Sequence, residues 1–217
     1  MEMEGDRLFN QEEADLLLDI MVNRRDVRGN RFSGRPIEEE KIRQILLAAV
    51  NAPSVGFSQP WEFVLVKSSE IKQQIKESFN QENEKASNLF EGEKQKEYNR
   101  LKLEGIFEAP LNIAIFYSQS QKPVLGQTSM PEVGLYSVVC AIQNMWLMAR
   151  ALNIGMGWVS IVDPEKVKHI LKAPEQNKLV GYFCLGYTTQ FLKQPELEIL
   201  KWESRKEMKE IIFNDTY

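Results

Sequence analysis

The sequence holds a single histidine, His169, and two cysteines, Cys140 and Cys184, in 217 residues. So small a supply of imidazole excludes most hydrolase triads and most zinc chemistry, and no metal ligands are assigned. The thiols stand far apart in apolar surroundings, SVVCAIQ and GYFCLG, the pattern of buried structural cysteines rather than of a disulfide. His169, in VKHILK, falls on an amphipathic helical pattern and reads as a surface or helix-end residue. No apolar run approaches the ~20 residues that span a bilayer, and the opening MEMEGDRLFNQEE is acidic, without the basic-then-apolar layout of a signal peptide. A cytoplasmic location is expected. Basic residues number 27 against 31 acidic ones, so no global positive field exists to hold a nucleic-acid backbone or an anionic membrane. No GxGxxG follows a first strand, which disfavours a Rossmann fold. Repeats, heptads and low-complexity tracts are also missing.

What is present suits one folded domain over residues 1–217: 43% hydrophobic and 27% charged residues, with length enough for one substantial core. Asn10 and Glu13 resemble a capping box, and Ala14, Leu17, Leu18 and Met21 recur at helical spacing, predicting a helix from about Gln11 to Val22. A second helix is predicted from Glu38 to about Val50, ending before the turn-rich NAPSVGFSQP. Strands are predicted at Glu62–Lys67, Asn112–Tyr117, Ile154–Ile161 and Leu179–Leu185. A helix opens near Ser69, and the charged run from Gln81 to Leu103 is a solvated helical face or a mobile lid. Tyr136–Ala151 has almost no charge before Arg150 and reads as a helix buried on most sides, the backbone of the core and of a dimer seam. Asp163-Pro164 is a helix start, and Glu203–Ile212 has the period of a terminal helix. Helices among a few strands without a regular βαβ rhythm favour an α+β fold, a mixed sheet with helices on both faces.

Two segments carry chemistry. Arg24-Arg25-Asp26-Val27-Arg28 sets three guanidiniums just beyond a helix end, either as a local anion site matched to phosphate oxygens or as a basic helix end satisfying terminal carbonyls. Ala52–Trp61 combines Ser54, Gly56 and Gln59 in a loop able to offer a hydroxyl, a closely approaching backbone N–H and an amide to a flat heteroaromatic edge, or else serves as a polar connection.

Together these segments, RRDVR and APSVGFSQPWEF, resemble the flavin-binding pattern of the nitroreductase superfamily. Asp26 within RRDVR, PSVGF, KLEGIFEAP at Lys102–Pro110, TSMPE at Thr128–Glu132, YSVVCAIQNMW at Tyr136–Trp146 and GMGWVSIVDP at Gly155–Pro164 resemble its 5,6-dimethylbenzimidazole synthase branch. The resemblance implies a three-layer α/β/α sandwich around a mixed, mainly antiparallel sheet. It further implies a homodimer with FMN at the subunit interface, reduced FMN as the consumed substrate, and dioxygen as co-substrate. An external flavin reductase would supply the reduced FMN, and the products would be 5,6-dimethylbenzimidazole, for cobalamin, and erythrose 4-phosphate. Arg24, Arg25, Val27 and Arg28 would hold the phosphate and ribityl end with Arg205 as helper. Asp26 would move protons at the ribityl chain, its flanking arginines favouring the ionised form. Ser160 would lie near the flavin as a hydroxyl that both donates and accepts. Gly56 would bring its N–H to oxygen at the ring. Leu103 and Glu104 would close over the ring, and Phe57 would make the pocket drier. Two rivals on the same scaffold are an NAD(P)H-dependent nitroreductase or flavin reductase that recycles its FMN, and a non-catalytic flavin carrier.

Overall fold

The computed structural model describes residues 7–217; the acidic opening stretch up to residue 6 lies outside them. Helix α1 spans Gln11–Asn23 and opens with the reciprocal capping box: Glu13 N–H donates to Asn10 Oδ1 at 2.9 Å, and Asn10 N–H donates to Glu13 Oε2 at 3.0 Å. Next come α2 (Glu39–Val50), β1 (Trp61–Val66), α3 (Ser69–Ser87), α4 (Gly92–Arg100), β2 (Leu111–Tyr117) and α5 (Val133–Ala151). The chain ends with β3 (Ile154–Val159), α6 (Pro164–Ile170), β4 (Lys178–Tyr187) and the single turn α7 (Glu196–Ile199). Asp163 caps α6 by accepting the N–H groups of Glu165 and Lys166, and His169 is exposed in its last turn.

The four strands run in the order β1-β2-β4-β3, and every neighbouring pair is antiparallel. One isolated parallel bridge, Asp26 to Met156, lies outside the four antiparallel strands and sets the arginine run as a short rung beside β3. Strand β2 is buried along its whole length because both faces are covered. Leu111, Ile113, Ile115 and Tyr117 join one core with α2 and α5, and Ala114 and Phe116 join the other with Ile75 and Phe79 of α3 and Val167 of α6. This is the expected three-layer sandwich.

Two expectations need correction. Helix α5 is buried on most sides, as expected: Val138, Ala141, Ile142, Met145, Trp146 and Ala149 are buried, and Tyr136, Val139, Cys140 and Gln143 form one exposed stripe at helical spacing. Cys140 is therefore not buried, because it lies on that stripe and not among the residues facing the sheet; Cys184, in β4, is buried as expected. The terminal helix over 203–212 is replaced by one 3-10 turn, Met208–Glu210, since Ile211 and Ile212 find no apolar surface in the chain to cover them.

The charged run is a helical hairpin. α3 continues to Ser87 and α4 folds back on it, with Tyr98 donating to Asn83 Oδ1 at 2.9 Å, Ser87 to Asn99 Oδ1 at 2.8 Å and Gln95 Nε2 to the Ser87 carbonyl at 3.1 Å.

Candidate active site

The arginine run is placed by β3. Val27 N–H donates to the Met156 carbonyl at 3.1 Å, and the Trp158 N–H donates to Asp26 Oδ1 at 3.2 Å. Glycines 155 and 157 make this approach possible. A Cβ at Gly155 would stand 2.8 Å from a Val27 methyl, and one at Gly157 would collide with the Val27 carbonyl oxygen. The spacing GMGW is thus the sequence signal of a second backbone lying against the strand.

Beyond this rung lies a hollow of about 680 Å³ lined by Arg24, Arg25, Asp26, Arg28 and Arg205, with residues 194–198 as its far wall. Asp26 pairs directly with Arg28. Arg24 stacks its guanidinium 4.9 Å from the centre of the Trp146 ring, which fixes its direction at the cost of no hydrogen bond. Arg25 is more committed: its terminal nitrogens donate to the carbonyls of Val22 at 2.7 Å, Arg24 at 2.6 Å and Lys193 at 2.5 Å, tying the end of α1 to the C-terminal segment. The Nε atoms of Arg25 and Arg28 are buried and have no partner. No group among the described residues satisfies them.

The electrostatics of Asp26 depart from the sequence expectation. Burial pushes its carboxyl above the ordinary range; Arg28, the Trp158 N–H and Arg24 pull the other way without cancelling that effect. On balance Asp26 holds a proton more readily than a free aspartate does, although Arg28 and Arg24 oppose this. For Arg25, burial first and the charges of Arg24, Arg205 and Arg150 next lower the pKa, as expected where cations converge.

The remaining assigned residues divide. Glu104 comes to the end of the arginine run, where Gly29 N–H donates to its carbonyl at 2.7 Å, and Leu103 packs against the core cluster that includes Val27. The Glu104 carboxylate is turned elsewhere, to Lys76 at 2.5 Å and to the Ile106 N–H at 2.7 Å. Ser160 is exposed just past the end of β3. Ser54, Gly56 and Gln59 are not part of the hollow. Their loop sits at the other end of α5, where Val55 N–H donates to Ser137 Oγ at 3.1 Å, whereas the arginine run is tied to the near end by Arg150 Nε donating to the Asn23 carbonyl at 2.9 Å. The thirteen helical steps from Ser137 to Arg150 separate the two groups by about 20 Å along the axis. Within the loop Gln59 N–H donates to Ser54 Oγ at 3.1 Å, and Gly56 has φ +53° with only 2.7 Å between an added Cβ and the Leu125 carbonyl oxygen. Phe57 is 80% exposed.

The sequence reading missed the wall formed by Gln194, Pro195, Glu196, Leu197 and Glu198. No motif marks it; Arg31, whose guanidinium reaches Glu196 at 2.5 Å, is its anchor. Among the described residues no cluster of histidine, cysteine, aspartate and glutamate is arranged to hold a metal, and no helix is long and apolar enough to cross a membrane.

A profile described as the Nitroreductase family matches residues 21–187. The chain belongs to the nitroreductase family. Among its nitroreductase-family relatives, a protein of Rhodospirillum rubrum named 5,6-dimethylbenzimidazole synthase is 44% identical over 201 residues, 92% of this chain and 94% of that one. A protein of the same name from Rhodobacter capsulatus is 35% identical over 90% of this chain and 94% of its own length. Iodotyrosine deiodinase, solved with FMN and 3-iodo-L-tyrosine, superimposes with a TM-score of 0.73 at 22% identity, covering 93% of this chain and 100% of that one, and so shares the fold.

Proposed function

We propose that the chain is a 5,6-dimethylbenzimidazole synthase. Reduced FMN is the substrate consumed and dioxygen the co-substrate; 5,6-dimethylbenzimidazole, the lower ligand of cobalamin, and erythrose 4-phosphate are the products. The observation that carries this reading is the likeness, at 44% identity along nearly the whole chain, to a protein of that name, in a molecule whose Asp26 faces a hollow that four arginines share with the wall of residues 194–198, Glu196 and Glu198 included.

The residues fit the phosphate end of the flavin. Arg24, Arg28 and Arg205 face one hollow, and the buried, unpartnered Nε atoms of Arg25 and Arg28 are donors in need of an acceptor. When bound, reduced FMN supplies both the electrons for dioxygen and the ring that becomes the product. The chain's part is to hold, orient and exchange protons. Arg28 and Arg24 neutralise the phosphate, while Arg25 keeps the wall of residues 193–198 in place. Asp26, its pKa raised by burial and its carboxylate paired with Arg28, would accept or return a proton at the ribityl chain. Ser160 offers a neutral hydroxyl at the ring, and the Gly56 N–H a donor for developing negative charge on oxygen.

A homodimer completes the site. One chain presents two half-sites at opposite ends of α5, and it leaves apolar residues uncovered: Leu16, Leu17, Met21 and Val22 on α1, Leu47 and Val50 on α2, Tyr136 and Val139 on α5. An isologous pairing sets the Ser54–Gln59 loop of one copy against the arginine run of the other and covers that surface. The reaction is placed in the cytoplasm, with reduced FMN delivered by an external flavin reductase.

The deciding experiment mixes the purified protein with reduced FMN in air and follows both products by chromatography and mass. Appearance of both products supports the synthase; FMN reoxidised intact excludes it and favours a flavin-recycling reductase or a carrier.

A further inference from the structure

Three aromatic rings meet where the α3–α4 hairpin touches the C-terminal segment. Phe90, in the link between the helices, stacks on Tyr98 with ring centres 5.2 Å apart. The Trp202 indole stands edge-on to Phe90 at 5.5 Å and tilted against Tyr98 at 6.3 Å, and Lys94 Nζ lies 3.7 Å from the centre of its ring. Both sides of this cluster are anchored. Tyr98 is buried and bonded to α3, and Trp202 N–H donates to the Leu197 carbonyl at 2.8 Å, closing the turn after α7.

Arg205 follows Trp202 by three residues in a stretch without helix or strand. Nothing regular fixes this arginine, yet it faces the same hollow as Arg24, Arg25 and Arg28. Three extended residues reach about 10 Å, so the last packed side chain before Arg205 decides where its guanidinium can go. That side chain is Trp202. Freed from the ring cluster, the arm would hang from α7 and pay the ordering entropy of its whole length before Arg205 could meet an anion.

The geometry points to Trp202 as a positioning residue that holds Arg205 at the phosphate end of the flavin hollow; this rests on the flavin reading above. It also makes the α3–α4 hairpin part of phosphate recognition, although no residue of α3 or α4 lines the hollow.

The test titrates wild type, Trp202→Ala, Trp202→Phe, Arg205→Ala and the double variant Trp202→Ala/Arg205→Ala with oxidised FMN and with riboflavin, which lacks the phosphate, by flavin fluorescence. Circular dichroism checks that each is folded. Loss of one charge-assisted contact predicts roughly tenfold weaker FMN binding for Trp202→Ala and for Arg205→Ala, little further loss in the double variant, and riboflavin affinity unchanged within about twofold. Trp202→Phe, which keeps an aromatic ring in the cluster, recovers most of the FMN affinity. The assignment is overturned if Trp202→Ala binds FMN like wild type, if FMN and riboflavin weaken alike, or if the two losses add in full. Wild type that binds neither flavin overturns the flavin reading, and this assignment with it.

Discussion

The carboxylate of Asp26 accepts the backbone N–H of Trp158 at 3.2 Å, and this bond fastens the arginine run to β3. Its other oxygen pairs with Arg28, so one side chain both aligns a backbone and balances a cation beside the hollow. Asp26→Asn separates these duties, because an amide oxygen still accepts from Trp158 but the side chain no longer exchanges a proton. FMN affinity is expected to stay within a few-fold of wild type, while formation of 5,6-dimethylbenzimidazole falls by roughly 10²–10⁴, the usual contribution of a general acid or base. Product chromatography beside a flavin titration of the same sample checks both halves; loss of binding and turnover together would leave Asp26 with a structural role.

Gly157 should tolerate no side chain. A Cβ there meets the Val27 carbonyl oxygen, backbone against backbone, so relief requires the arginine run to leave β3. Gly157→Ala is expected to cost about 1–3 kcal/mol of stability and to weaken FMN binding with it. Urea unfolding and flavin titration measure the two effects; an unchanged urea midpoint would mean that the run is not seated on the strand as described.

Much of this architecture is legible in the sequence because its signals are local. The Asn10 capping box, the Asp163-Pro164 helix start and the apolar β2 run state their structure within a few residues, and the boundaries found lie close to those expected. For the candidate site, the sequence named the residue types that line the hollow but not their arrangement. RRDVR supplies its guanidiniums, yet that Arg25 spends its terminal nitrogens on main-chain carbonyls depends on Lys193, which no spacing rule connects to it. Helix α5 misled only at Cys140, because an exposed apolar stripe has the same composition as a buried one, as Val139 and Cys140 show. The terminal period at 203–212 failed for the complementary reason: periodicity proposes a helix, and only a surface to cover makes it stable.

Lys72 tests a buried polar contact remote from the hollow. Its ammonium, 6% exposed as a residue, donates to the Ala109 carbonyl at 2.6 Å just ahead of β2, and burial lowers its pKa. Lys72→Ala strands that carbonyl and leaves a void, for an expected loss of about 2–4 kcal/mol by urea unfolding. Lys72→Met fills the space and should lose less; equal loss from both would assign the effect to the missing hydrogen bond alone.

Glu38 provides a pH-dependent test. It accepts the Tyr187 hydroxyl, with Arg35 at 2.6 Å and Lys41 at 3.6 Å beside it, joining the start of α2 to the end of β4. The Tyr187 hydrogen bond is the chief cause that holds its carboxyl down at about 2. A carboxyl depressed in the folded state stabilises it above the unfolded pKa, and the contribution vanishes as pH falls through the folded value. Wild type should therefore be more stable than Glu38→Gln at pH 7, with the gap narrowing between about pH 4.5 and pH 2. Urea midpoints of the two proteins across that range measure it, and a gap independent of pH would show that charge is not what Glu38 contributes.

The separation of the two half-sites along α5 gives the most direct test of the dimer. Suppose one subunit carries Asp26→Asn and the other carries Ser54→Ala with Gln59→Ala. Each homodimer then has a lesion in both sites. If the loop of each copy serves the arginine run of its partner, one site of a mixed dimer collects every lesion and the other collects none. Unfolding the two variants together and refolding them yields about half mixed dimers with one intact site each, so product formation should return to about a quarter of the wild-type rate. Recovery of that size requires a site shared between copies. If the mixture stays as inactive as its parents while refolded wild type regains its rate, each chain works with its own residues, and the loop at Ser54 must reach the hollow by a movement of its own chain.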